Sequence, residues 1–282
     1  MGEKDIAEKL LFDYNDVFAD IVNVLLFNGS KIVHPDELQS TKDESQYKID
    51  GKLHEQERDV SKIWKKGNIH ISFVGFENQT IIDKDMPLRI IGYDGASYKK
   101  QTLSGNKDRY PVVTIVLYFG EEHWDHYRSL LDCVSVPNEL KPFVNDYKIN
   151  VFEVAYLTKE QVEMFHSDFK IVADFFVQKR INKDYRPSGE QIKHVDAILK
   201  LLSVLTSDFR YEAVIYDSKK GKVKNMCEVL DRIEANGVIK GEIKGKIEVL
   251  MEYGNTAEQI ADRLGLSVEE VNEIIANISS DS

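Results

Sequence analysis

The run NIHISFVGFENQ, residues 68–79, is apolar on both faces from Ile69 to Phe76. Successive side chains of a strand point to opposite sides, so such a strand needs cover above and below. A second run, YPVVTIVLYF over 110–119, is dense in Val, Ile and Tyr and makes the same demand. These two segments require a sheet packed on both faces, and the chain must supply the covering helices.

Helical periodicity meets that need. Residues 12–27 place Phe12, Val17, Phe18, Ile21, Val22, Leu25 and Leu26 on one face, with Asp13 or Asn15 as the expected cap and Gly29 closing the helix. A polar segment is expected to follow to about Lys48. Residues 58–64 and 68–79 predict two strands joined by Lys65-Lys66-Gly67-Asn68, a short hairpin connection. Pro87 opens a helix expected to reach about Thr102, although Gly92 and Gly95 weaken its middle. A further short strand is expected over 150–155. Beyond it the pattern turns helical: 159–179, 188–206, then a long helix from Lys222 through Met226, Leu230 and Ile233 into Gly237, Gly241 and Gly245. Glycines on one helical face cost about 1 kcal/mol each relative to Ala, so a close helix–helix contact is expected there, within the chain or between subunits of a homo-oligomer. Residues 256–264 and 267–278 outline a helix–turn–helix.

Length and composition fit one sizeable domain plus an appendage: 282 residues, 42% hydrophobic and 30% charged. The expected division is a domain over 1–215 and a helical region over 222–282. No run of 18 uncharged apolar residues is present, and the opening MGEKDIAEKL lacks the apolar core of a signal peptide. A cytoplasmic protein with Cys133 and Cys227 as reduced thiols is the expectation.

Net charge is -11, which argues against a protein that simply coats nucleic acid. Residues 1–110 carry 16 Lys and Arg against 19 Asp and Glu, so most of the deficit lies behind them. Residues 255–282 hold Arg263 as their only basic side chain. The terminal helix–turn–helix would therefore meet a polyanion with carboxylates, and protein packing is its expected role.

Chemistry-bearing residues gather on the hairpin. Asp59 opens the first strand and Glu77 ends the second, so both fall at the end away from the turn. Glu77 and Gln79 are two apart and share a face. A carboxylate closing an apolar run is costly without a partner or a metal. Hard divalent cations take carboxylate oxygens, which makes Asp59 and Glu77 candidate ligands for phosphodiester hydrolysis. Asp16 and Asp20, four apart on the first helix, are further candidates. Arg89 and Tyr93 either face the same cleft or pack structurally. His194 and Asp196 do not share a helical face, so a surface or capping role is expected.

The segments RDVSKIWKKGNIHISFVGFENQT, DMPLRIIGYDGASYKKQ and RYPVVTIVLYFGEEHW resemble the recombination-promoting nuclease/putative transposase family of the PD-(D/E)xK superfamily. The likeness continues through NDYKINVFEVAYLT, FHSDFKIVADFFVQKR and NMCEVLDRIEANG. The resemblance implies an α+β fold with an αβββαβ nuclease core and a helical C-terminal extension. It also implies a Mg2+- or Mn2+-dependent DNA endonuclease, with Asp59 and Glu77 as metal ligands and Gln79 where the superfamily usually has lysine. A catalytically weak or inactive DNA- or partner-binding member of the same fold is the alternative, and an oligomeric scaffold driven by the C-terminal helices is a third.

Overall fold

A computed structural model describes residues 10–40, 44–49, 52–57, 60–66, 68–76, 84–103, 109–216 and 223–280. The chain is α+β. Helix α1 (Asn15–Phe27) leads into β1 (Leu38–Ser40). Strands β2 (Glu44–Ile49) and β3 (Lys52–Glu57) follow, then β4 (Val60–Trp64) and β5 (Ile69–Phe76). Helix α2 (Met86–Leu103) precedes β6 (Val112–Tyr118), and a long connection containing α3 (Leu130–Cys133) reaches β7 (Asn150–Glu153).

The main sheet runs β1-β4-β5-β6-β7, antiparallel from β1 to β5 and parallel from β5 to β7. Strands β2 and β3 form a hairpin of their own. With that hairpin set aside, the order is α-β-β-β-α-β. The expected polar segment up to Lys48 is corrected here. It holds β1, which pairs Ser40 with Lys62, and β2, whose own run carries too little apolar alternation to announce a strand.

Strand β6 justifies the two-sided cover. Ile115 and Leu117 enter a large core with α1, β4 and later helices. Val116 and Tyr118, on the opposite face, enter a second core with Met86, Ile90 and Tyr93 of α2 and with Trp124. Each fully buried side chain of this size contributes roughly 1.5–3 kcal/mol, so either face alone is a major part of the stability.

Helix α1 is not capped by Asp13 or Asn15. Tyr14 stands at the N-cap without a side-chain bond. The Asn15 amide instead donates to the carbonyls of Pro35 and Leu38. Asp13 accepts from Lys62, whose side chain is 0% exposed. The Lys62 ammonium donates to the Asp13 carbonyl at 2.8 Å, the Asp13 carboxylate at 2.9 Å and the Ser40 hydroxyl at 2.9 Å. Three acceptors match its three N–H donors, which is what makes a buried ammonium tolerable. Gly29 is the expected close of the helix, but the helix ends at Phe27 with Asn28 as its left-handed cap, and Gly29 is the next residue. The Gly29 φ of +81° favours glycine, and an added Cβ would also press on the Met164 side chain at 3.1 Å.

Two predicted helices are broken. Residues 159–179 divide into α4 (Lys159–Met164) and α5 (Phe169–Asn182), because the Asp20 carboxylate takes the backbone N–H groups of His166 and Ser167 at 2.8 and 2.7 Å. Residues 188–206 are helical only in α6 (Val195–Thr206). Ahead of it, buried Asp168 accepts the N–H groups of Lys193 and His194, and Gln191 bridges to Asn225. Helix α7 (Arg210–Tyr216) then precedes α8 (Met226–Glu252), which starts on Asn225, whose side chain accepts from the Glu228 N–H.

The terminal pair, α9 (Ala257–Leu264) and α10 (Val268–Ser280), packs on α8 through Ile247, Ile260, Ala261 and Val271. Among the described residues the glycine row meets no helix: a Cβ added at Gly237, Gly241 or Gly245 would find nothing within 4 Å. The expected contact is thus absent inside the described part of this chain, and its between-subunit form is all that remains open. Gly241→Ala is expected to raise the stability of the isolated chain by about 1 kcal/mol, read by chemical denaturation; a fall would report a second chain on that row. Lys62→Ala should cost about 3 kcal/mol in the same measurement through lost volume and bonds, and Lys62→Met, which keeps the volume, should cost less.

Candidate functional site

Residues Asp59, Glu77 and Gln79 lie outside the described residues. Their nearest described neighbours do locate their strand ends. Val60, first in β4, pairs with Phe73, near the end of β5. Phe76 closes β5 beside Tyr118, and Tyr118 lies beside Glu153. The start of β4 and the carboxyl ends of β5, β6 and β7 therefore form one edge of the sheet. Ligands of open parallel sheets bind outside that edge, where strand ends leave backbone and side chains free to converge.

The N-terminal end of α1 approaches β4 through the Asp13–Lys62 pair. The two helix acids nominated from sequence have separate tasks. Asp20 caps the backbone at 166–167 as described above. The Asp16 carboxylate meets the Lys193 ammonium at 2.5 Å and His194 Nε2 at 3.2 Å. Burial alone would push the Asp16 carboxyl up, but the Lys193 and His194 partners outweigh it and hold it below the ordinary range. His194 is thus no surface residue: its side chain is 12% exposed, and its ring stacks on Tyr14 at 3.6 Å. Periodicity placed His194 inside a helix over 188–206, whereas it stands at the N-cap of α6, with a partner 178 positions away.

Asp16, Asp20, Asn23, Lys31, His34 and His166 line an open cleft of about 200 Å³ beside α1. Among the described residues, no group of three or more His, Cys, Asp or Glu side chains is placed to hold a metal ion. Tyr93 packs in the second core, 3% exposed, and its hydroxyl accepts from Arg89 at 3.2 Å. Tyr93 is therefore a core residue. Buried Asp94 on the same helix accepts from the hydroxyls of Thr114 and Tyr147, tying α2 to β6 and to the loop before β7.

A cluster that sequence reasoning missed stands at the end of β7. The Glu153 carboxylate accepts the Trp124 N–H at 3.0 Å and the Arg128 guanidinium at 2.7 Å, and lies 2.9 Å from His123 Nδ1. Burial raises the Glu153 carboxyl, but these three partners outweigh it and keep it lowered. The segment GEEHWDHYR carries both signs of charge, and only its return to the β7 end identifies which pair.

Asp16→Asn should lower stability near neutral pH. Because its folded carboxyl is depressed, the stabilisation exists above the unfolded value and fades as pH falls through the folded one. The acid limb of a stability–pH profile should therefore be shallower in the variant. Asp20→Ala should cost about 1–2 kcal/mol, measured by denaturant melts.

No helix among the described residues is long and apolar enough to cross a membrane. No curated protein and no solved structure matches the chain. A family model described as "Putative transposase, YhgA-like" matches residues 24–210. That span holds the main sheet, α2, the β6–β7 connection and the helices through α6, and the chain belongs to this YhgA-like transposase family.

Proposed function

We propose that the chain is a metal-dependent DNA endonuclease of the recombination-promoting type, hydrolysing phosphodiesters with Asp59, Glu77 and Gln79. The carrying observation is the meeting of the β4 start and the β5 end on the carboxyl edge of the parallel strands. Family membership and the α-β-β-β-α-β order support a PD-(D/E)xK core. Two carboxylates and an amide are hard oxygen donors, which suit Mg2+ or Mn2+. Such an ion supplies charge neutralisation at the phosphate and makes water a better nucleophile.

The chain's own groups divide the work. Asp59 and Glu77 hold the ion and orient it toward the scissile phosphate. The Gln79 amide donates to a phosphate oxygen, and its carbonyl accepts from the attacking water; it adds no charge where lysine would. The helix acid left open by sequence is not needed for this assignment, since Asp16 and Asp20 already have protein partners. DNA binds the front unit, residues 1–215, because the acidic 255–282 segment repels it. In the unit over 222–282, the later part of α8 packs with α9 and α10 in a small core of their own, while Met226 and Val229 at the start of α8 belong to the main core. The protein acts in the cytoplasm.

Glutamine at the lysine position favours a second reading, a DNA- or partner-binding protein with weak or lost catalysis. Wild-type protein should nick or cut duplex DNA with Mg2+ or Mn2+. Asp59→Ala and Glu77→Ala should each abolish cutting while melting stays cooperative. Undiminished cutting by the double variant would eliminate the assignment; no cutting by wild type, with DNA binding retained, would select the second reading.

A further inference from the structure

The end of β7 carries an imidazole that is exposed yet held in one orientation. His123 is 69% exposed in its side chain, and its Nδ1 lies 2.9 Å from the Glu153 carboxylate. The ring stacks on Tyr156 with centroids 3.6 Å apart and planes inclined by 25°. Tyr156 is itself fixed: its hydroxyl donates to the Glu121 carbonyl at 2.8 Å, and the Arg180 guanidinium sits 4.3 Å over its ring. Arg180 in turn donates to the Ala155 carbonyl at 2.7 Å. A surface histidine gains little from such restraint, because fixing an exposed rotamer costs entropy. A carboxylate on Nδ1 sets the tautomer and ring direction, and leaves Nε2 as the group available to a ligand.

The position is as informative as the geometry. Glu153 stands beside Tyr118, and Tyr118 beside Phe76, on three adjacent parallel strands. Adjacent strands lie about 4.8 Å apart, so the β7 end is about 10 Å from the β5 end. At about 3.4 Å of rise per nucleotide, that separation corresponds to a phosphate about three nucleotides along the same strand. Net charge does not gather the ligand here, since Glu121, Glu122 and Asp125 lie beside His123, His126 and Arg128. The attraction is directional, from an imidazole N–H and the outer edge of Arg128, which is 44% exposed.

We propose that His123, positioned by Glu153 and Tyr156, is a phosphate-contacting residue that holds the nucleic-acid backbone at the carboxyl end of β7. With the Glu153 carboxylate on Nδ1 and the phosphate on Nε2, the ring lies between two anions and donates an N–H to each. The proposal rests on the nuclease reading for its ligand, but its measurement does not require cutting.

Full-length Glu77→Ala protein in EDTA, with a short fluorescein-labelled duplex, gives the reference affinity by anisotropy. Adding His123→Ala should weaken that affinity on the order of tenfold, the effect of losing one hydrogen bond to a charged group, with unchanged melting. Glu153→Gln should weaken it less, because it loosens the ring without removing it. In histidine-edited NMR of the wild-type chain, inorganic phosphate and the duplex should each shift the His123 signal saturably, with assignment by His123→Gln. Equal affinity of parent and His123→Ala, a parent that does not bind the duplex, or a His123 signal indifferent to phosphate would each overturn the proposal. Failure of the nuclease reading shows separately, as wild-type protein that binds but never cuts.

Discussion

Side chains of β6 alternate between two different cores, and no arrangement with one open face accommodates them. Ile115 and Leu117 belong to the layer under α1 and the later helices; Val116 and Tyr118 belong to the layer under α2. This double burial puts β6 in the interior of the sheet, flanked in parallel by β5 and β7. Parallel pairing then sends all three carboxyl ends to one edge, and the antiparallel β4 returns its start to the same edge. The placement of any chemistry on this hairpin follows from that packing requirement.

Polar side chains acting as backbone partners shape what surrounds the sheet. Asp20 ends α4 by taking the N–H groups of His166 and Ser167, and Asp168 holds the approach to α6 in the same way. Asn23 does so for the loop after α1, accepting from Ile32 and Val33 and donating to the Val33 carbonyl. Buried backbone groups must be paired, so each of these side chains replaces a helical or ladder bond that the local chain gives up. Lys62 belongs to the same class, with its charge met by one carboxylate and two neutral oxygens.

The family resemblance and the α+β fold were legible because they rest on local signals: strand runs of Val and Ile, helix spacing and the order of elements. Among the candidate residues, Glu77 stands out in sequence as a carboxylate closing an apolar run. Helix breaks at 165–168 and 188–194 were not legible, since the carboxylates that take their backbone N–H groups, Asp20 and Asp168, come from other parts of the chain. Nor was the His123–Glu153 pair, whose members are 30 positions apart and meet only because β7 lies beside β6.

Sequence by itself determined that β4, β5, β6 and β7 are strands, that α1, α2 and α8 are helices, and that the terminal helices are acidic. Periodicity and composition are properties of neighbouring residues, and they survive without knowledge of the fold. Tertiary structure alone decided which polar group satisfies which. Asp16 with His194 and Asp20 with His166 join residues 178 and 146 positions apart. A carboxylate reads the same in sequence whether it faces water, a metal or a backbone amide; its role is set by what packing brings within about 3 Å.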